Sequence, residues 1–232
     1  MVLRQIINYI LPPRCLFCFD FTTYDDGFCG SCFSKFDFIT KPYCLICGFR
    51  FTVNYDQDLL CGRCSSNPPD FDKLRSLYKF DEYSKKIIHN FKYHDKTGLA
   101  KIFAKLFYNR YKDEFHDIDI VIFVPMHWLK RLFRMYNQSH LLAREIANKL
   151  NKPLVSSLLN KTNFTKSQTF LSKVQREQNI KNSIRYNNKY DVRGMHILLV
   201  DDVTTTRTTI NECSKILKKA GAIVSVFTIA TT

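Results

Sequence analysis

Residues 196–229 read HILLVDDVTTTRTTINECSKILKKAGAIVSVFTI, and the fold is decided there. Residues 196–200 are a short, continuous apolar run, the pattern of a strand buried on both faces. Asp201 and Asp202 close it. Residues 209–220 then place Ile210, Cys213, Leu217 and Ala220 at helical spacing, and Gly221 stops the helix. Residues 223–229 form a second apolar run. Strand, helix and strand at this spacing make a βαβ unit, whose strands lie parallel. Cys213 falls on the apolar side of the helix and is expected in the core rather than as a reactive thiol.

The same pattern continues toward the N-terminus. Residues 118–124 (IDIVIFV) form another buried strand, ending at Pro125. Residues 139–150 place Leu142, Ile146 and Leu150 on one helical face. Residues 74–80 suit a first strand. Residues 83–93 and 99–111 suit helices, with Ile87, Ile88 and Phe91 on the first and Ile102, Phe103, Leu106 and Phe107 on the second. Residues 158–190 are polar, basic and weakly periodic, and are expected as a long loop with a short helix. The fold class is α/β, a doubly wound parallel sheet with helices on both faces. Asn67-Pro68-Pro69-Asp70 marks a boundary, so that residues 1–70 and 71–232 are expected as separate units.

The first unit is read from its cysteines. Eight of the nine form four C-x-x-C pairs: Cys15/Cys18, Cys29/Cys32, Cys44/Cys47 and Cys61/Cys64. A C-x-x-C turn places two thiolates on one tetrahedral edge, and two such turns close a zinc site. About two structural Zn²⁺ ions are expected, folding a segment too short to fold alone. Sequence order suggests Cys15/Cys18/Cys29/Cys32 and Cys44/Cys47/Cys61/Cys64 as the two sites. A cross-brace of first with third pair is the alternative. Beyond the cysteine pairs, the sequence shows no internal repeat.

With 232 residues, 45% apolar and 24% charged, the chain has the composition of a globular protein. Its net charge is +14. Residues 1–70 carry six Lys/Arg against seven Asp/Glu, so the positive excess lies on residues 71–232. Such an excess attracts polyanions: phosphates, nucleic acid or an anionic surface. No run reaches the roughly 18 apolar residues of a membrane span. Residues 2–11 are apolar but short, lack a small-residue cleavage site, and are expected as an amphipathic helix. A cytoplasmic location is expected, where paired cysteines bind metal.

In an open α/β sheet, ligands sit at the carboxyl ends of the strands. Asp201-Asp202 lies at such an end, and Thr204, Thr205, Thr206, Arg207, Thr208 and Thr209 lead into a helix N-terminus. Hydroxyls, unpaired backbone N–H groups and the positive helix end make an anion site. The two carboxylates can accept from a ribose diol, or hold Mg²⁺ through water.

Residues 198–209 (LLVDDVTTTRTT) resemble the phosphoribosyl-pyrophosphate (PRPP) signature of type I phosphoribosyltransferases. Further matches point to the ComF/ComFC competence family. They are the cysteine array, Phe91-Lys92-Tyr93, Val124-Pro125-Met126-His127, Arg134-Met135-Tyr136-Asn137-Gln138 with Leu141-Leu142-Ala143, Lys161-Thr162, Gln168, Leu171, Arg176 and Asn179. The resemblance implies a type I phosphoribosyltransferase-like domain behind a zinc finger. It implies that Asp201 and Asp202 contact the ribose hydroxyls, and that Thr205, Thr206, Thr208 and Thr209 cradle the 5-phosphate. Arg134, Asn137 and Gln138 then lie near the pyrophosphate, with Arg176 on a closing loop as its charge partner. Arg207 and Met135 stand where the family carries Gly; Arg207 either grips phosphate or fills its pocket. PRPP with Mg²⁺, single-stranded DNA, and DNA-uptake or recombination proteins are the implied partners, and Tyr93, Trp128 and Tyr136 are candidates for base stacking. Two alternatives stand beside DNA uptake or handling: an active phosphoribosyltransferase on an unidentified acceptor, and a non-catalytic interaction module.

Overall fold

The computed structural model describes residues 12–22, 27–53, 59–93, 98–126, 137–161 and 183–232. The helix expected at 2–11 lies outside these residues. Four strands form one parallel sheet in the order β1-β6-β5-β2. They are β1 (Lys73–Lys79), β2 (Ile120–Phe123), β5 (His196–Thr204) and β6 (Ile223–Thr231). The described helices are the short α1 (Gly30–Phe33) and α2 (Gly62–Ser66), then α3 (Glu82–Tyr93), α4 (Gly98–Tyr111), α5 (Gln138–Leu150) and α6 (Thr208–Lys219).

The sheet is buried on both faces, as its continuous apolar runs require. Leu77, Val121, Leu198, Val200, Phe227 and Ile229 share one core with α3, α4 and α5. Leu74, Ile122, Ile197, Leu199, Val224 and Val226 share the other with Ile210, Cys213 and Leu217 of α6. Cys213 is fully buried, as its spacing predicts.

Two expectations need correction. Hydropathy ends the third strand at Val200, but β5 continues through Asp201 to Thr204, because Asp201, Val203 and Thr204 still pair with Thr228, Ala230 and Thr231 of β6. The stretch expected as loop is bounded by a short antiparallel pair, β3 (Leu159–Lys161) and β4 (Ile184–Tyr186). Leu159 and Ile184 anchor that pair in the α6-side core. Three-residue strands are too short to display alternation. The short helix expected there would fall among residues 162–182, outside the described residues.

The cysteine-rich segment wraps the β1 edge. Ile39 N–H donates to Leu77 O at 2.9 Å and Lys79 N–H to Asp37 O at 2.9 Å, so residues 37–39 cover an edge that would otherwise expose unpaired backbone. The segment is a structural repeat with an offset of 29 residues in its first half. Cys15 N–H bonds Asp20 O and Cys44 N–H bonds Phe49 O, both at 2.8 Å; Phe19 N–H bonds Cys15 O and Gly48 N–H bonds Cys44 O, both at 2.9 Å. The residue after each knuckle is left-handed, Phe19 at φ 67° and Gly48 at φ 65°. A Cβ on Gly48 would come within 2.9 Å of Leu74 O, so glycine lets the second knuckle touch β1. The repeats then part. Cys15 and Cys32 join the core of α4, whereas Cys44, Cys47 and Cys64 join the core of α6, on the opposite face of the sheet.

Candidate phosphate site and cysteine clusters

Chain direction fixes where the candidate site lies. Among the described residues, the helix that follows β2 is α5, on one face, and the helix that follows β5 is α6, on the other. β2 and β5 are neighbours, so their carboxyl ends flank a crevice where the connections diverge. Such a switch point is where open α/β sheets bind ligands.

Asp201 and Asp202 stand at this crevice. Asp201 Oδ1 accepts from Ser139 Oγ and from the Asp202 N–H, each at 2.9 Å. Asp202 Oδ2 pairs with Lys92 Nζ at 3.0 Å. Desolvation and the neighbouring Asp202 charge push the Asp201 carboxyl up to about 7, against the pull of Ser139, the Asp202 N–H and Lys92. Lys92 arrives at the end of α3 and Ser139 in the first turn of α5. Lys92 stood in the Phe91-Lys92-Tyr93 match without a role, and Ser139 had no spacing signal at all, because both contacts are non-local.

The loop from β5 to α6 is three residues long, 205–207. Thr204 is buried at the strand end, while Thr205 and Thr206 are exposed. Thr208 Oγ1 donates to Thr206 Oγ1 at 3.0 Å, and Thr232 Oγ1 donates to Thr205 O at 3.0 Å, holding the loop against the end of β6. The first-turn N–H groups of α6 have no intrahelical acceptor and no side chain of Arg207 caps them. Exposed hydroxyls and open N–H groups at one helix end are an anion-binding arrangement.

Arg207 sits at φ 61°, the left-handed conformation that glycine adopts without strain and that costs an arginine about 1–2 kcal/mol. Its side chain is 8% exposed and lines two clefts on the side of the second cysteine cluster, one with Phe49, Cys61, Gly62 and Arg63, the other with Arg50, Lys79 and Thr232. Neither role considered for it from sequence places it there.

Asn137 and Gln138 are brought to the crevice, where both do structural work. Asn137 caps α5, its Oδ1 accepting from the Ser139 N–H at 3.1 Å. Gln138 is buried and its Nε2 donates to Lys92 O at 3.0 Å, fixing the α3 end that presents the lysine. Arg134, Met135, Tyr136, Trp128 and Arg176 lie outside the described residues, as do Gln168, Leu171 and Asn179.

The eight cysteines gather as two clusters in sequence order, Cys15/Cys18/Cys29/Cys32 and Cys44/Cys47/Cys61/Cys64, with all sulfurs of a cluster within 4.8 Å of one another. The cross-brace is excluded. Cys18 and Cys29 sulfurs are 3.7 Å apart, and Cys47 and Cys61 sulfurs 3.6 Å. A zinc–sulfur bond of about 2.3 Å in a tetrahedron gives an edge of about 3.8 Å, so both clusters fit a structural zinc. Each also receives a backbone donor of the kind that favours thiolate: Cys29 N–H to Cys15 Sγ and Cys61 N–H to Cys44 Sγ, both at 3.3 Å. Burial raises the Cys44 thiol, but backbone donors at Cys47, Cys61 and Ile46 outweigh it and draw the thiol down to about 7.

Comparison with known proteins agrees with both halves. The family described as double zinc ribbon domain matches residues 6–65, and that described as phosphoribosyl transferase domain matches residues 136–231. Competence protein F of Haemophilus influenzae is 30% identical over 204 residues, covering 84% of this chain and 86% of that protein. DNA utilization protein YhgH of Escherichia coli K12 is 30% identical over 202 residues, with 84% and 86% covered. Competence protein ComFC of Bacillus subtilis is 27% identical over 209 residues, with 87% and 82% covered. With a relative 30% identical over 84% of its length, the chain belongs to the competence protein F (ComF/ComFC) family.

Proposed function

We propose that this chain is a cytoplasmic PRPP-binding protein that acts in the uptake or handling of single-stranded DNA, with residues 1–70 as its zinc-binding unit and 71–232 as its phosphoribosyltransferase-like unit. The observation that carries the reading is the joint placement of Asp201-Asp202 and the open N-terminus of α6 at the β2/β5 switch point. A phosphorylated ribose presents hydroxyls and an anion a few ångströms apart, and this crevice offers acceptors and donors in that arrangement. The names of the relatives, competence protein F and DNA utilization protein, support the DNA role.

In this reading Asp201 and Asp202 accept from the ribose hydroxyls, and Thr205, Thr206, Thr208 and Thr209 surround the 5-phosphate. Mg²⁺ would accompany the pyrophosphate, its waters held by the two carboxylates. Arg134, Asn137, Gln138 and Arg176 are proposed on the pyrophosphate side. Eight cysteines, from Cys15 to Cys64, hold two structural zinc ions. Turnover on an acceptor is the second reading; it is supported by Arg207 lining clefts on the ribbon side while Thr205 and Thr206 stay exposed. Calorimetric titration with Mg²⁺ and PRPP tests the site. Native chain is expected to bind, and Asp201→Asn/Asp202→Asn to lose at least tenfold in affinity, about 1.4 kcal/mol. Equal affinity in both would remove the assignment.

A further inference from the structure

Arg207 belongs at once to the phosphate loop and to the second cysteine cluster. It is the residue immediately before α6, and its Nε is buried with no hydrogen-bond partner among the described residues. No carboxylate pairs with it among those residues either. A guanidinium that is nine-tenths buried without a counter-charge is strongly disfavoured, so something near it must be negative. Among the described residues, chemistry of that kind lies in the cysteine cluster, since Arg207 shares a cleft with Cys61 and Gly62. Four thiolates around one divalent zinc carry a formal charge of −2, which four neutral thiols would not supply.

We propose that Arg207 is the counter-charge of the zinc tetrathiolate at Cys44, Cys47, Cys61 and Cys64, and that this attraction holds the phosphate loop in its left-handed turn. The proposal rests on the zinc reading above. Zinc in the second ribbon then positions Thr205–Thr209 amides and hydroxyls, whereas zinc in the first ribbon, on the other face of the sheet, has no such link. Arg207 is a positioning residue on this account. It also accounts for an arginine where glycine would fit the backbone: the charge offsets the conformational cost. Loss of zinc from the second cluster would then loosen the anion site from a distance.

The test uses the full zinc-loaded chain and a chromophoric chelator, with metal content measured first. Native chain should hold about two zinc ions and release them in two separable phases. Arg207→Gly relieves the backbone strain and removes the charge; Arg207→Gln removes the charge at similar length; Arg207→Lys keeps it. One phase should quicken about 10–100-fold in Arg207→Gly and Arg207→Gln, stay near native in Arg207→Lys, and the other phase should not move. Unchanged release in the Gly and Gln variants overturns the counter-charge role. Hydrogen exchange at residues 205–209 should rise in native chain once the zinc whose release quickens in Arg207→Gly is stripped, and unchanged exchange overturns the coupling. A native chain without zinc would instead sink the zinc reading, and this proposal with it.

Discussion

Asp201 is the residue at which one proton most changes the crevice. Its carboxyl, with an ordinary value of 3.8, is pushed up to about 7 by desolvation and by Asp202. The folded chain therefore holds a proton across a range where the unfolded chain has released it. Stability of the unliganded chain should fall as pH rises from about 4 through about 7, by on the order of 1–2 kcal/mol given partial solvent access. Asp201→Asn keeps acceptors for Ser139 and the Asp202 N–H while removing the proton, and should flatten this fall; urea unfolding at about pH 5 and about pH 8 reads it. Ligand binding runs the other way, because ribose hydroxyls and Mg²⁺ waters call for an ionised carboxylate, so Mg²⁺–PRPP affinity should rise through pH 7. The same pH slope in native and Asp201→Asn would detach both effects from Asp201. The carboxylate pair and the threonines were readable from sequence because they are contiguous. The groups that tune them, Ser139 and Lys92, are 62 and 110 residues away and meet them only through the fold.

Elements whose apolar residues repeat locally were legible, and elements defined by distant pairing were not. Residues 120–124 and 197–200 announce strands because burial on both faces leaves no polar position in them. The polar end of β5, the β3–β4 pair and the antiparallel hold of residues 37–39 on β1 have no such local signature. The joint between the second ribbon and β1 is of this kind. Arg75 is 3% exposed in β1; its Nε donates to Glu114 Oε2 at 2.7 Å and its Nη1 to Leu45 O at 3.0 Å. Its guanidinium lies 4.7 Å from the Tyr43 ring centroid, and Tyr43 in turn donates to Glu114 Oε1 at 2.8 Å. An arginine in the middle of an apolar strand makes sense only once ribbon, strand and the turn at Glu114 are assembled. Arg75→Ala leaves Glu114 and two backbone carbonyls short of a donor at once, and should destabilise the chain by about 3 kcal/mol in chemical denaturation. A loss below about 0.5 kcal/mol would mean that the ribbon docks without this joint.

At the scale of the molecule, charge and topology converge on one edge. The carboxyl ends of the parallel strands carry Asp201 and Asp202, and basic side chains line clefts nearby: Lys79 and Arg50 one, Lys85 and Lys92 another. Arg50 is occupied by Asp37 at 2.6 Å and Lys92 by Asp202, whereas Lys79 and Lys85 are exposed. A net charge of +14 alone predicts weak attraction to any polyanion. Placement on the ligand edge predicts more: a strand laid along it would release counter-ions in proportion to the lysines it meets. The logarithm of the association constant for a single-stranded oligonucleotide should fall linearly with the logarithm of salt concentration, with a slope of about −0.7 per phosphate neutralised. Lys79→Ala and Lys85→Ala should each lower that slope by about 0.7 while leaving Mg²⁺–PRPP affinity within about twofold, since neither lysine touches the carboxylates. Fluorescence anisotropy with a labelled oligonucleotide across about 50–300 mM salt measures both. Slopes that stay at the native value in both variants would move the DNA path to another face of the molecule, and the basic edge would then serve the phosphorylated ribose alone.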